Sequence, residues 1–335
     1  MGLKLVIKRY VSQAFYYMGV VRFLRSIHKN ENVIVAYHRV LPEDFKELRY
    51  IQPGMYVTCS TFEKHMAYIS AHYTVLNFSE VRSFDEIRGA CFVTFDDGWS
   101  DTYEYAYPIL MKYNIPATIF VCTNLIGSQT RLWSDKIGAY IHQASEEELG
   151  SVLEIMRRHC CREFDKYRGD RILLLESICG AMKKMDDRAA SMVISAIEAS
   201  MGGESEERSS GGVWLSWKEI EEMRSSGQCF GSHSHNHKIL SQMGYDDMVR
   251  EIETSQEILA SKLGKKPDLM SYPNGDYNPD IIGVLRKLGF RLGFSTKSGF
   301  VSESENEYAL CRLMIHDDIA RFEEMFACKL VRCLV

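Results

Sequence analysis

Eight short apolar runs, rich in β-branched and aromatic residues, recur along the chain: Val33–Tyr37, Thr74–Leu76, Cys91–Phe95, Ala117–Val121, Cys229–Gly231, Leu269–Tyr272, Leu292–Phe294 and Arg312–Ile315. They are continuous rather than alternating, which predicts strands covered on both faces, as in a parallel sheet flanked by helices. Between them, Thr61–Ser70, Trp217–Ser225 and Asp246–Leu263 space apolar residues three and four apart, and Pro279–Leu288 opens with a proline suited to a first helical turn. Strand and helix therefore alternate, and the class is α/β. Some seven or eight such units suit a (β/α) barrel of about seven strands better than a small open sheet.

One region breaks this rhythm. From about Asp135 to Gly212 no strand-like run appears, only charged helical patterning around Leu153, Ile155, Met156, Ile172–Leu175, Ile178, Met192, Val193 and Ile197. Residues 135–212 are expected to form a helical insertion, a lid or a partner surface, ending in the glycine- and serine-rich loop 202–212. The barrel is expected over 31–335, preceded by a separate segment over 1–30. That segment sets Lys4, Lys8, Arg9, Arg22, Arg25, His28 and Lys29 around Phe15, Tyr16, Tyr17 and Phe23. Two readings fit it: a basic helix packed on the barrel, or an amphipathic helix for peripheral association with a membrane surface.

Composition narrows the function classes. The 335 residues are 46% hydrophobic and 25% charged, as expected of a folded globular protein. Forty Lys and Arg against 45 Asp and Glu leave a net charge of −5, which argues against nucleic acid as a partner. The ten cysteines are scattered, apart from Cys160-Cys161, and form no Cys-x-x-Cys pair. They are expected to be free thiols in a reducing compartment. With no visible secretion signal, the expected location is cytoplasmic, or peripheral at the inner membrane surface.

Two motifs carry chemistry. Thr94-Phe95-Asp96-Asp97-Gly98 follows directly on an apolar strand, and the C-terminal ends of α/β strands are where active sites gather. Gly231-Ser232-His233-Ser234-His235-Asn236-His237 follows another, with three histidines in five residues. A carboxylate with two imidazoles and open positions suits Zn²⁺ or a similar borderline ion.

These motifs, in this order, resemble the polysaccharide deacetylases of the NodB-homology type. The resemblance extends through Phe95–Tyr103, Tyr107–Leu110, Ile115–Val121 and Leu215–Glu219, and includes Tyr37-His38-Arg39-Val40 and Tyr272–Tyr277. It covers roughly 33–142 and 214–315, and leaves out the helical insertion and the N-terminal segment. It implies a distorted (β/α) barrel, with Asp96 as general base and Asp97, His233 and His237 as ligands of a divalent metal. Zn²⁺ is expected first, with Co²⁺, Mn²⁺ or Ni²⁺ as alternatives. His235 is expected to face outward or support the ligands. Tyr272 and Asn274 are expected at the substrate, with a backbone N–H near Asn274 facing the reaction's oxyanion.

The chain also departs from the pattern. Ser271 stands where family members often carry an arginine that orients the catalytic aspartate, and the later Asp and Trp signature is not recognisable around Phe294–Thr296. The general acid falls to one of two histidines, His38 on the first strand or His316 on the last. The expected activity is hydrolysis of an acetyl group, N-acetyl first, from an amino sugar in a polysaccharide or a lipid-linked glycan precursor. The rival readings are a degenerate member that binds glycan in envelope-polysaccharide assembly without turnover, and a metal hydrolase of another C–N bond.

Overall fold

The structure, a computed structural model, describes residues 3–45, 51–81, 84, 87–160, 163–201 and 214–333. The expected loop over 202–212 lies outside the described residues. The chain divides into two compact units, one of 1–43, 54–128 and 213–335, the other of 44–53 and 129–212.

In the first unit, ten strands are described: β1 (Val33–Tyr37), β2 (Arg39–Leu41), β3 (Tyr56–Thr58), β4 (Thr74–Val75), β5 (Ala90–Phe95), β6 (Ala117–Val121), β7 (Cys229–Ser232), β8 (Leu269–Ser271), β9 (Leu292–Phe294) and β10 (Leu313–Met314). Its helices are α1 (Leu3–Tyr17), α2 (Val20–Ile27), α3 (Cys59–His72), α4 (Tyr107–Lys112), α9 (Trp217–Ser225), α10 (Tyr245–Leu263), α11 (Pro279–Leu288), α12 (Asp317–Ala320) and α13 (Glu323–Leu330). The segment expected as one helix over 1–30 is two, because Gly19 adopts the left-handed φ of 82° between them.

Seven strands pair in the order β10-β1-β5-β6-β7-β8-β9, with β4 added beside β5, and every ladder is parallel. The result is a curled, incompletely closed (β/α) barrel, as the eight apolar runs predict. Missing from the sequence reading is the small parallel sheet β2-β3. Side chains alternate across the sheet. Val33, Val35 and Tyr37 of β1 join Cys91, Val93 and Phe95 of β5 in one core cluster with Phe326 and Leu330 of α13. Ile34, Phe92, Phe120, Leu269, Leu292 and Phe294 form a second cluster on the other sheet face. Truncating Phe92 there to alanine would cost about 3–5 kcal/mol.

Local chemistry sets the helix ends. Ser216 and Glu219 close a capping box at α9, and Asn278 caps α11, which starts at Pro279 and stops at left-handed Gly289. In the second unit, α5 (Trp133–Gln143), α6 (Glu146–Cys160), α7 (Arg171–Met182) and α8 (Asp187–Ser200) surround their own core of Ile137, Ile141, Leu149, Met156, Leu174, Ile178, Val193 and Ile197. No strand is described there, which matches the loss of short apolar runs after Asp135.

Candidate active site

The alternation that buries Phe92 carries on past the end of β5. Phe92, Thr94 and Asp96 share one face, as do Ile34, Ala36 and His38 from β1, and in register Tyr37 lies opposite Phe95. Beyond the ladder His38 therefore comes level with Asp96. On the other side Val121 pairs with Ser232, and the His233 N–H donates to the Val121 carbonyl at 2.9 Å. The parallel register thus brings Asp96, Asp97, His38 and His233 to the C-terminal edge of the sheet.

Here Asp97, His233 and His237 converge, with their ligand atoms within 4.8 Å of one another. Asp97 Oδ1 lies 3.3 Å from His233 Nε2 and 3.2 Å from His237 Nε2. It is buried yet receives no well-aligned hydrogen bond among the described residues. A tetrahedral ion with ligand bonds of about 2.1 Å holds its ligand atoms about 3.4 Å apart. An orphaned buried oxygen at that spacing from two imidazole nitrogens fits a divalent ion.

The surrounding bonds orient each ligand. Asp97 Oδ2 accepts from the Trp99 indole N–H at 3.0 Å, which leaves Oδ1 for the triad. His233 Nδ1 lies 2.8 Å from the Ser271 carbonyl, so its proton sits there and the Nε2 lone pair faces inward. The loop carrying His237 is clamped by buried Glu251 of α10, which accepts from the Asn236 side chain at 2.9 Å and from its backbone N–H. Asp97, Ser234, His237 and Asn274 all have positive φ, between 58° and 75°, unusual for residues other than glycine. That strain is concentrated in the loops of the site. Gly98 continues the bend at φ 88°, and a Cβ there would lie 2.9 Å from Val121 Cγ1.

Asp96 is held differently. Arg312, fully buried, forks onto it with Nη1 to Oδ1 at 2.9 Å and Nη2 to Oδ2 at 2.7 Å. The same guanidinium donates to Ser271 Oγ at 3.0 Å, Thr94 Oγ1 at 3.4 Å and the Ser295 carbonyl at 2.9 Å. Burial pushes the Asp96 carboxyl up, but Arg312 and His233 outweigh it and hold it below the ordinary value. Asp96 is therefore ionised, as a general base must be. The arginine missing at position 271 is supplied from the last strand segment, and the Ser271 hydroxyl is one of its acceptors.

The other sequence candidates separate. His38 is half-buried, and loss of hydration holds its imidazole below the ordinary value although Asp97 and Asp96 both act to raise it. His316, expected as its rival, sits just past β10 with Nδ1 3.1 Å from Asp318 Oδ2. His235 lies outside the triad, its Nδ1 2.8 Å from Thr123 Oγ1. Asn274 turns its side chain to Asp276 Oδ2 at 2.7 Å, while its carbonyl accepts from Thr296 Oγ1 at 3.3 Å. Tyr272 corrects the sequence reading: it is fully buried among Leu240, Met248, Ile252 and Ile281, and its hydroxyl donates to the Tyr308 carbonyl at 2.7 Å. With neither ring nor hydroxyl open, it supports the Pro273 loop from beneath and does not meet substrate.

Fold and site together are those of a hydrolase class, with an arginine-held carboxylate beside an Asp-His-His cluster that could hold a metal ion. The polysaccharide deacetylase family model matches residues 86–154 and 173–293, more than half of the chain, and the chain belongs to that family. A poly-β-1,6-N-acetyl-D-glucosamine N-deacetylase of Staphylococcus aureus is 22% identical over 306 residues, covering 87% of this chain and 80% of the relative. Among solved structures, the Streptococcus pyogenes deacetylase PplD in complex with acetate aligns over 90% of this chain and 98% of its own at TM-score 0.56 and 19% identity. IcaB from Ammonifex degensii aligns over 89% and 97% at TM-score 0.54 and 17% identity.

Proposed function

We propose that this protein is a metal-dependent hydrolase that removes N-acetyl groups from the amino sugars of a polysaccharide. The observation that carries the reading is buried Asp97 Oδ1, unsatisfied and 3.2–3.3 Å from two imidazole nitrogens, beside a second carboxylate gripped by Arg312. Asp97, His233 and His237 would hold the ion, which when bound polarises the acetyl carbonyl and lowers the pKa of water. Asp96 then accepts the proton of the attacking water. Arg312 keeps that carboxylate aimed and ionised while the proton is in transit. His38, level with Asp96, is assigned the relay: it would take up the proton that Asp96 removes from water and pass it to the departing amine. His316, which the β1–β10 register sets beside His38 and whose Nδ1 meets Asp318, is the rival for that step.

The Staphylococcus aureus relative's name supports an N-acetylglucosamine polymer as substrate, and a lipid-linked glycan is the second form considered. Of the two departures behind the degenerate reading, the missing arginine is replaced in space by Arg312, and the later Asp and Trp signature stays unmatched. The test is acetate release from an N-acetylglucosamine polymer by protein stripped with a chelator and then resupplied with Zn²⁺, Co²⁺, Mn²⁺ or Ni²⁺. Release should vanish on stripping, return with metal, and stay absent in Asp97→Ala. Release that is indifferent to chelation, or confined to O-acetyl esters, would overturn the proposal. His38→Gln should slow turnover far more than His316→Gln.

A further inference from the structure

The two N-terminal helices carry two apolar faces and use only one for packing. Phe15, Tyr16, Val21 and Leu24 pack into the barrel's core cluster, and Ser12 of α1 is buried. On the other side Ile7, Tyr10 and Tyr17 are 55%, 64% and 79% exposed, with Ala14 exposed between them. At 100° per residue these four positions fall within an arc of about 80° directed away from Ser12. Met18 at the junction and Phe23 and Ile27 of α2 extend the exposed apolar surface. Eleven large apolar side chains are exposed among the described residues, and six of them lie within 7–27. Exposed apolar residues gathered in this way mark an interaction surface.

Charge identifies the partner. Residues 1–30 hold six Lys and Arg and no Asp or Glu, in a chain whose net charge is −5. Two of these cations serve the fold: Arg9 lies 3.9 Å over the Phe322 ring and Arg25 donates to the Tyr68 hydroxyl at 3.1 Å. Arg22 and Lys29 are exposed beside Phe23 and Ile27. A second copy of this chain would set cations against cations with no acid in the segment to pair them. No described helix is long and apolar enough to cross a membrane, so the face is suited to lying on a bilayer.

We propose that the α1-α2 face docks on a lipid bilayer bearing anionic headgroups, with Tyr10, Tyr17 and Phe23 at the acyl boundary and Arg22 and Lys29 among the headgroups. The inference is independent of the catalytic reading.

The test is co-sedimentation of the full chain with vesicles of phosphatidylcholine alone and of phosphatidylcholine with phosphatidylglycerol. Binding should require the anionic lipid and weaken in high salt. Arg22→Gln with Lys29→Gln should lower it roughly tenfold or more. Tyr10→Ser with Tyr17→Ser and Phe23→Ser should abolish it while thermal melting and acetate release stay as in the parent, because these side chains are exposed. Equal partition onto both vesicles, no binding to either, or retained binding by the triple variant would overturn the proposal. So would a dimer in light scattering that the triple variant converts to monomer with vesicles unbound, since the face would then serve self-association.

Discussion

Asp96 and Asp101 lie five positions apart, both buried and both facing an arginine, yet their acidities shift in opposite directions. Burial pushes each carboxyl up. At Asp96, Arg312 occupies both oxygens and its charge outweighs the burial, so the net shift is downward. Asp101 receives one Arg39 nitrogen at 2.7 Å and the Val40 N–H at 3.0 Å, with Glu104 nearby as a like charge, and its net shift is upward. Arg39 in turn lies 4.2 Å over the Trp99 ring, which stacks at 4.0 Å on Trp214. The same pair of residue types thus builds a carboxylate held ionised and aimed in one place and a structural clasp in the other. Fork geometry and the surrounding charges make the difference.

The sharpest way to break this contrast is to remove each carboxylate in turn. Asp96→Asn should cut acetate release by roughly 10²–10⁴ with little change in melting temperature, the size expected for losing a general base. Asp101→Ala should do the reverse, costing about 1–3 kcal/mol in denaturant titration because it removes the buried carboxylate that receives both Arg39 and the Val40 N–H, while turnover per folded molecule persists. If the two variants behaved alike, the division of roles would fail.

His65 extends the comparison to a buried group whose two ring nitrogens meet a carbonyl and a hydroxyl. Its Nε2 lies 2.7 Å from the Ala320 carbonyl, its Nδ1 3.1 Å from the Tyr37 hydroxyl, and burial holds its pKa down at about 4. The unfolded chain therefore takes up the proton first as pH falls below about 6.5. Stability should be unaffected above that pH and decline by about 3 kcal/mol toward pH 4. Urea midpoints across this range should show the slope in the parent and lose it in His65→Gln.

Arg312→Lys keeps the charge and removes the fork, and should lower acetate release roughly 10–100-fold. Combining Arg312→Ser with Ser271→Arg should recover part of that loss by returning the guanidinium from the neighbouring direction. The smallest effect belongs to Tyr272→Phe, which should cost about 1 kcal/mol of stability and leave turnover intact. A large loss of activity in that variant would restore Tyr272 to the substrate.

What could be read in the sequence follows from how local each feature is. The Asp97, His233 and His237 triad was legible because its residue types are uncommon together and each motif directly follows an apolar strand. Arg312 was not, since it meets Asp96 only through strand packing across more than 200 positions. A signal was present all the same: Cys311-Arg312-Leu313-Met314-Ile315 sets a cation within an apolar run, and a fully buried cation requires a partner. Tyr272 was misread because a tyrosine beside a loop proline looks alike whether its ring faces the site or the core. The β2-β3 sheet escaped because its strands are three residues each, too short to show a period.

Asp97 and His233 come from strands separated by one neighbour in space and by more than a hundred residues in the chain. Bringing them together costs closure entropy for that whole intervening segment, and the cost is met once the β5, β6 and β7 ladders have formed. An ion held between them would bind only the assembled sheet, so its concentration would add directly to the folding free energy. The metal would then act as a staple as well as a reagent, and protein emerging under metal starvation would be less firmly folded as well as inactive.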